Sequence, residues 1–247
     1  MTFLRPSAST RDLDLPPPYT LVTTREVGDA MQHARSIADR DGAGTLVWVR
    51  RFDLAEFAVV LEPEEPLAQA RRAFCLGMEA LARALSSHSP PQMAISFDWP
   101  DGIRVDGVLV GGARLAWPDG AAEEDVPDWL VFSSMIRLSV MRGGDAGLRP
   151  LAGGLDELGF EAPDAGTLIE GFARYMMSEF HETQDRGFDA VAARYLTRLP
   201  NEYRSGALSE AGDLIVPHQG REPERKSLRA ALAAPTWLDP ATGAPWL

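Results

Sequence analysis

This chain of 247 residues has one cysteine, Cys75, and one lysine, Lys226; every other basic residue is arginine. A single thiol excludes an internal disulfide and fits a reducing compartment, so a cytoplasmic location is expected. No apolar run approaches the roughly 20 residues that a membrane-spanning helix needs. Arg5 and Arg11 have no apolar block behind them, so no secretory signal is expected. Positive charge is scarce as well: 24 basic residues against 36 acidic ones give a net charge of −12. Binding to nucleic acid or to an anionic membrane needs a basic face, and no arginine-rich run or basic helix is visible, so neither is an expected partner.

What remains is the composition of an ordinary globular protein, 45% hydrophobic and 24% charged, long enough for one main core and a small appendage. Residues 1–18 end in three prolines and read as an extended arm. Thr23 and Glu26 are spaced as a capping box, predicting a helix to about Arg40 with Val27, Met31, Ala34 and Ile37 on one face. Thr45–Arg51 and Glu56–Leu61 are β-branched, apolar and separated by four residues, which predicts a hairpin. Leu67–Ser86 carries Ala70, Phe74, Met78, Leu81 and Leu85 at helical spacing. Strands are expected over Val108–Trp117 and Trp129–Met141, a glycine-rich linker over 142–156, and helices over Ala165–Asp185 and Phe188–Leu199. From Pro200 onward the chain reads as a small C-terminal module, with strand-like pieces at Asp213–Val216 and Ser227–Leu232. The organisation expected is thus an arm (1–18), a main domain (19–199) and a module (200–247).

The most informative stretch is Trp99-Pro100-Asp101-Gly102, then Asp106-Gly107, then Gly111-Gly112 entering a strand. It resembles the central motif of biotin and lipoate protein ligases, a Trp-Pro-Asn-Asp turn, a short strand, a turn and Lys-x-Gly-Gly. The order of predicted elements matches over Tyr19 to about Met141, with a looser echo to Leu199. The resemblance implies an α+β fold, a mixed β-sheet flanked by helices. It also implies an activity: such ligases join a carboxylate to AMP using ATP, with Mg, then pass the acyl group to a lysine of a biotinyl or lipoyl acceptor domain. The family's DNA-binding members carry a further N-terminal helical domain, and too few residues precede Tyr19 for one. Family sheets often pair, so an oligomer is open.

The same motif departs from the family where the chemistry lies. Its lysine is replaced by Leu109, the Asn-Asp of the turn by Asp101-Gly102, and the later Gly-x-Gly-x-Asn strand by Ser133 to Arg137. Only Phe52 to Ala55 separate Arg51 from Glu56, where the family has an arginine-glycine loop. The reacting carboxylate and the α-phosphate are both anionic, so they need preorganised positive charge, and losing one such contact costs about 3–4 kcal/mol in the transition state. Arginines on the strands bordering the implied cleft are the substitutes to weigh: Arg50 or Arg51, which alternation sends to opposite faces, with Arg51 favoured, and Arg114 and Arg137. Together with Trp99, Asp101, Leu109, Gly111 and Gly112 these form the candidate ligand site for a small carboxylic acid.

Each residue has a plainer role beside the functional one. Trp99 either fixes the turn as a core aromatic or lines the pocket. Gly111 and Gly112 mark close backbone approach, to a ligand or to a packed strand. Asp101, like Asp98, makes an Asx-type turn or contacts a ribose or metal. His181 and Asp185 share a helical face but lack a third ligand, so no metal site is expected. His33, His88 and His218 belong to no motif, the pair Ser133-Ser134 lacks a base, and Glu123-Glu124-Asp125 reads as a solvated loop. Cys75 sits mid-helix among apolar neighbours and is not read as a nucleophile. Three functions follow: a divergent ligase attaching a biotinyl or lipoyl/acyl group, a non-catalytic ligand- or acceptor-binding module on the same fold, and a weaker third, an acyltransferase fed by a thioester.

Overall fold

The computed structural model describes residues 12–25, 28–140 and 151–247. Seven strands make the main sheet: β1 (Thr20–Arg25), β2 (Thr45–Arg50), β3 (Leu54–Leu61), β4 (Ile95–Asp98), β5 (Gly102–Val105), β6 (Val108–Ala116) and β7 (Leu130–Arg137). They lie in the order β1-β2-β3-β7-β6-β5-β4. β1 runs parallel to β2 and every other pair is antiparallel, so the sheet is mixed and the fold α+β.

Alternation along these strands makes two different faces. Leu46, Trp48, Phe57, Val59, Phe132 and Ile136 point to one side and pack under α3 (Ala73–His88), α4 (Ala165–Arg186) and α5 (Asp189–Arg198). This is the main core, and Gly77 lets α3 approach so closely that a Cβ there would lie 2.3 Å from the Phe132 ring. Val47, Val49, Ala58, Val60 and Val131 point the other way, under α1 (Ala30–Asp41). That single helix covers only part of its face. Of the C-terminal residues, a three-stranded sheet of β8 (Ala207–Leu208), β9 (Leu214–Val216) and β10 (Glu224–Lys226) and the short α6 (Leu228–Leu232) add Leu214, Val216, Leu228 and Leu232 to the main core. A hairpin of β11 (Leu238–Asp239) and β12 (Ala244–Pro245) packs beside β6 and β7 on the face that α1 leaves open.

The expected β2–β3 hairpin and the long helices are present, and four local expectations are corrected. Thr20–Arg25 is a strand, because the run Leu21-Val22-Thr23-Thr24 favours extended backbone; Glu26 and Val27 lie outside the described residues. α1 begins later, capped by Asp29, whose carboxylate accepts from the Met31 amide at 2.8 Å. The helix expected over Leu67–Ser86 is split into α2 (Leu67–Ala70) and α3, with Arg71 and Arg72 at the joint reaching Glu123 and Glu65. Ser227–Leu232 is helical, with the Ser227 hydroxyl accepting from the Ala230 amide. The strand expected to reach Met141 ends at Arg137. The arm before Asp12, and residues 141–150 of the glycine-rich linker, lie outside the described residues.

Candidate functional site

The Trp-Pro turn joins β4 to β5 at one end of the sheet and is held from behind by α5. The Tyr195 hydroxyl donates to the Pro100 carbonyl, and Trp99 meets the Tyr195 ring edge-on at 6.0 Å between centroids. Trp99 therefore packs on the helix-covered side. Asp98 is bound by Arg104 at 2.8 Å. Asp101 turns the other way, and its carbonyl accepts from the Ala113 amide.

A register shift then re-aims the strand that follows. Ile103 pairs with Gly111 and Arg104 with Leu109, leaving Val110 as the extra residue of a bulge. Val110 joins the main core, whereas Leu109 is turned to the face shared with Gly112. Gly111 has φ +152°, and a Cβ there would lie 1.9 Å from the Met135 carbonyl oxygen, so only glycine fits. Gly112 is flanked on both sides: a Cβ would meet the Asp101 carbonyl at 2.3 Å and the Trp237 indole at 2.5 Å. The close approach expected at the glycine pair is thus to the chain itself. Trp237, 1% exposed, forms a small apolar cluster with Leu109 and Met135, against which Leu238 and Trp246 pack.

Trp237 also seals Asp101. The indole N–H is turned toward the carboxyl without hydrogen-bond geometry, and neither carboxyl oxygen nor the indole nitrogen has a hydrogen-bond partner. Burial with little compensation pushes the Asp101 pKa up to about 7, so the carboxyl is readily neutral.

The four arginines meet four different environments. Arg50 leaves the face and stacks on the Trp48 ring at 4.9 Å. Arg51 makes two hydrogen bonds to Asp53, at 3.2 and 3.1 Å, and lies 3.8 Å from Glu56. Arg114 makes a two-bond fork to Asp29, at 2.9 and 2.7 Å. Glu56, buried in the centre of β3, accepts from the Ala30 amide at 2.9 Å, and burial raises its pKa. Arg114 is therefore committed to the carboxylate that caps α1, and Arg51 to Asp53 and, at longer range, to Glu56. Arg137 differs: it is 6% exposed, and among the described residues its guanidinium donates to the Pro245 carbonyl at 2.6 Å and forms no ion pair.

Sequence reasoning missed Trp237, the residue that joins these parts. The available signal was a large aromatic beside Leu238, in a tail rich in alanine and proline that ends in a second tryptophan, Trp246. The remaining candidates are dispersed. His181 and Asp185 are an exposed pair at 3.4 Å, Cys75 is buried, and among the described residues no group of three His, Cys, Asp or Glu side chains could hold a metal. No helix among the described residues is long and apolar enough to cross a membrane.

Comparison with solved structures places this fold. A biotin protein ligase-like protein of unknown function from Silicibacter sp. tm1040 superposes with a TM-score of 0.77 at 22% identity, over 89% of this chain and 98% of that one. Biotin protein ligase from Aquifex aeolicus gives 0.64 at 15% identity, over 84% and 95%. The Leishmania major enzyme in complex with biotin gives 0.55 at 16%, over 86% and 99%. No curated protein matches the chain. The family model for the biotin/lipoate A/B protein ligases matches residues 15–197, three quarters of the chain, and the chain accordingly belongs to the biotin/lipoate A/B protein ligase family.

Proposed function

We propose that this chain uses the ligase fold to bind a ligand and does not activate carboxylic acids as adenylates. The observation that carries this reading is the seat of Trp237 against Gly112, which occupies the space over the glycine pair that a ligand would need. The charges point the same way. Adenylation needs cations aimed at two anions, and here Leu109 supplies none while Arg51 and Arg114 are neutralised by Asp53 and Asp29. ATP with Mg does not fit this arrangement of residues, and no step is derived through it. What the face retains is the means to bind: apolar walls and one buried guanidinium that forms no ion pair among the described residues. A biotinyl or lipoyl acceptor domain is the second class of ligand that this family membership suggests.

The test is incubation of the full chain with ATP, Mg and radiolabelled biotin, lipoate or a medium-chain acid, with and without an acceptor domain. The expected outcome is no pyrophosphate and no acyl-AMP. Labelled acceptor or acyl-AMP would establish the divergent ligase instead, and labelling from a thioester without ATP would establish the acyltransferase.

A further inference from the structure

Among the described residues, Arg137 is a buried cation that forms no ion pair. Its Nη2 donates to a backbone carbonyl, its Nε has no partner, and among the described residues no carboxylate forms an ion pair with it. The other deeply buried arginine, Arg71, is bound by Glu123. A guanidinium taken out of water without a counter-charge is costly, and burial lowers the Arg137 pKa from its ordinary value. The nearest acidic group, Asp53, is already held by Arg51.

This guanidinium lies at the side of a cleft of about 350 Å³ between the end of β7 and the C-terminal hairpin, within the range of small-molecule sites. Pro245, Trp246 and Leu247 give the cleft its apolar walls, and Asp239 and Thr242 stand at its margin. A single buried cation matches one negative charge, and its planar fork suits a carboxylate. The apolar walls suit a flat ring, since an indole and a proline stack well on one. The Asp239 carboxylate accepts from the Ala241 amide and the Thr242 hydroxyl at 2.9 Å each; it disfavours a second negative charge and keeps lone pairs that can accept from a hydroxyl or amino group.

We infer that the cleft between Arg137 and the C-terminal hairpin is a binding site for a small aromatic monocarboxylate, the carboxylate on Arg137 and a donor group toward Asp239. The site lies outside the space that Trp237 fills, so it is accessible with the hairpin in place. It rests on the reading above, because it names the ligand class for a fold kept for binding.

Calorimetric titration of the full chain with 4-hydroxybenzoate, 4-hydroxybenzamide and inorganic phosphate decides the matter. The expected result is saturable binding of the acid, weakening by about 10- to 100-fold for the amide, and none for phosphate. Arg137→Leu should abolish binding, and Trp246→Ala should weaken it. Because Arg137 also holds Pro245, the Leu variant could lose its fold; the acid–amide comparison on the unaltered chain then decides alone. Equal binding of acid and amide, competition by phosphate, or no binding of the acid overturns the assignment. Acid binding fails independently of adenylation: acyl-AMP formation sinks the broader reading, whereas absence of both sinks only this site.

Discussion

The two faces of the sheet treat buried charge in opposite ways. Under α3, α4 and α5 every deep carboxylate is closed: Glu79 accepts from Arg198 at 3.0 Å, and Glu179 is held by Arg83 and Arg194. On the face shared by α1 and the C-terminal hairpin, Asp101 and Arg137 are buried and form no ion pair among the described residues. Single unpartnered atoms occur on both faces, Trp48 Nε1 and Arg194 Nε on one and Ser133 Oγ and Trp237 Nε1 on the other, so the contrast lies in the charged groups. Buried charged groups are normally paired, and exceptions mark a place kept for something other than stability. The helix-covered face is the scaffold, and the opposite face is the one on which the proposed binding is placed.

The sharpest way to break this comparison is to remove an aromatic from the scaffold. Phe172 is fully buried, stacked on Phe132 at 5.4 Å and tilted against Phe57 at 4.7 Å. Phe172→Ala should cost about 3–5 kcal/mol in urea unfolding, and a loss below about 1 kcal/mol would show that the two faces do not differ as described. Trp237→Ala removes a ring of similar size from the other face, but its partners are few. We expect faster amide exchange confined to residues 238–246 while the central strands stay protected; global loss of protection would make the hairpin part of the scaffold.

Asp101 separates the faces by pH. Its pKa in the folded chain, about 7, lies above the unfolded value of 3.8. The folded state therefore binds this proton more tightly, and the stability that Asp101 contributes is present in full below about pH 4 and is lost as pH rises through about 7. The effect has an upper bound of about 4 kcal/mol. Asp101→Asn should flatten that part of the pH–stability curve. Glu56 and Glu79, raised by burial, contribute the same sign in the variant, and Glu123 and Glu182, lowered by Arg71 and Arg194, the opposite sign, so the test is the difference between the two curves. An unchanged curve would mean that Asp101 reaches water.

Much of this was legible from the residues. The Trp-Pro turn and the glycine pair carried the family and the fold, because both encode close backbone approaches that few sequences need. β2, β3, α4 and α5 followed from apolar spacing. β1 was misread because Thr23 and Glu26 fit a cap as well as a strand, and pairing with β2 decides between them through contacts made only after folding. The site was legible only in part: Leu109 announced the missing charge, but alternation could not show that a bulge at Val110 turns it toward Trp237. Nor could spacing show that Arg51 and Arg114 would be neutralised. Asp53 is a local charge with several plausible roles, Asp29 meets Arg114 from 85 residues away, and the hairpin that contacts Arg137 comes from over a hundred residues away.

The smallest predicted effect tests how the two halves of the specialised face are coupled. Arg51 is about a third exposed and paired with Asp53, so Arg51→Met should cost less than about 1 kcal/mol of stability. Its effect on binding has a definite sign. Without Arg51, the Asp53 charge is left to act on Arg137, which it already attracts, and the cleft loses a second positive charge nearby. Both changes weaken the pull on an incoming carboxylate. Affinity for 4-hydroxybenzoate should fall about threefold, close to 0.7 kcal/mol, and the drop should shrink with added salt. Tighter binding in the variant would mean that Asp53 does not compete for Arg137, and that the arginine goes without an ion pair for a reason other than the hold of Arg51 on its nearest acid.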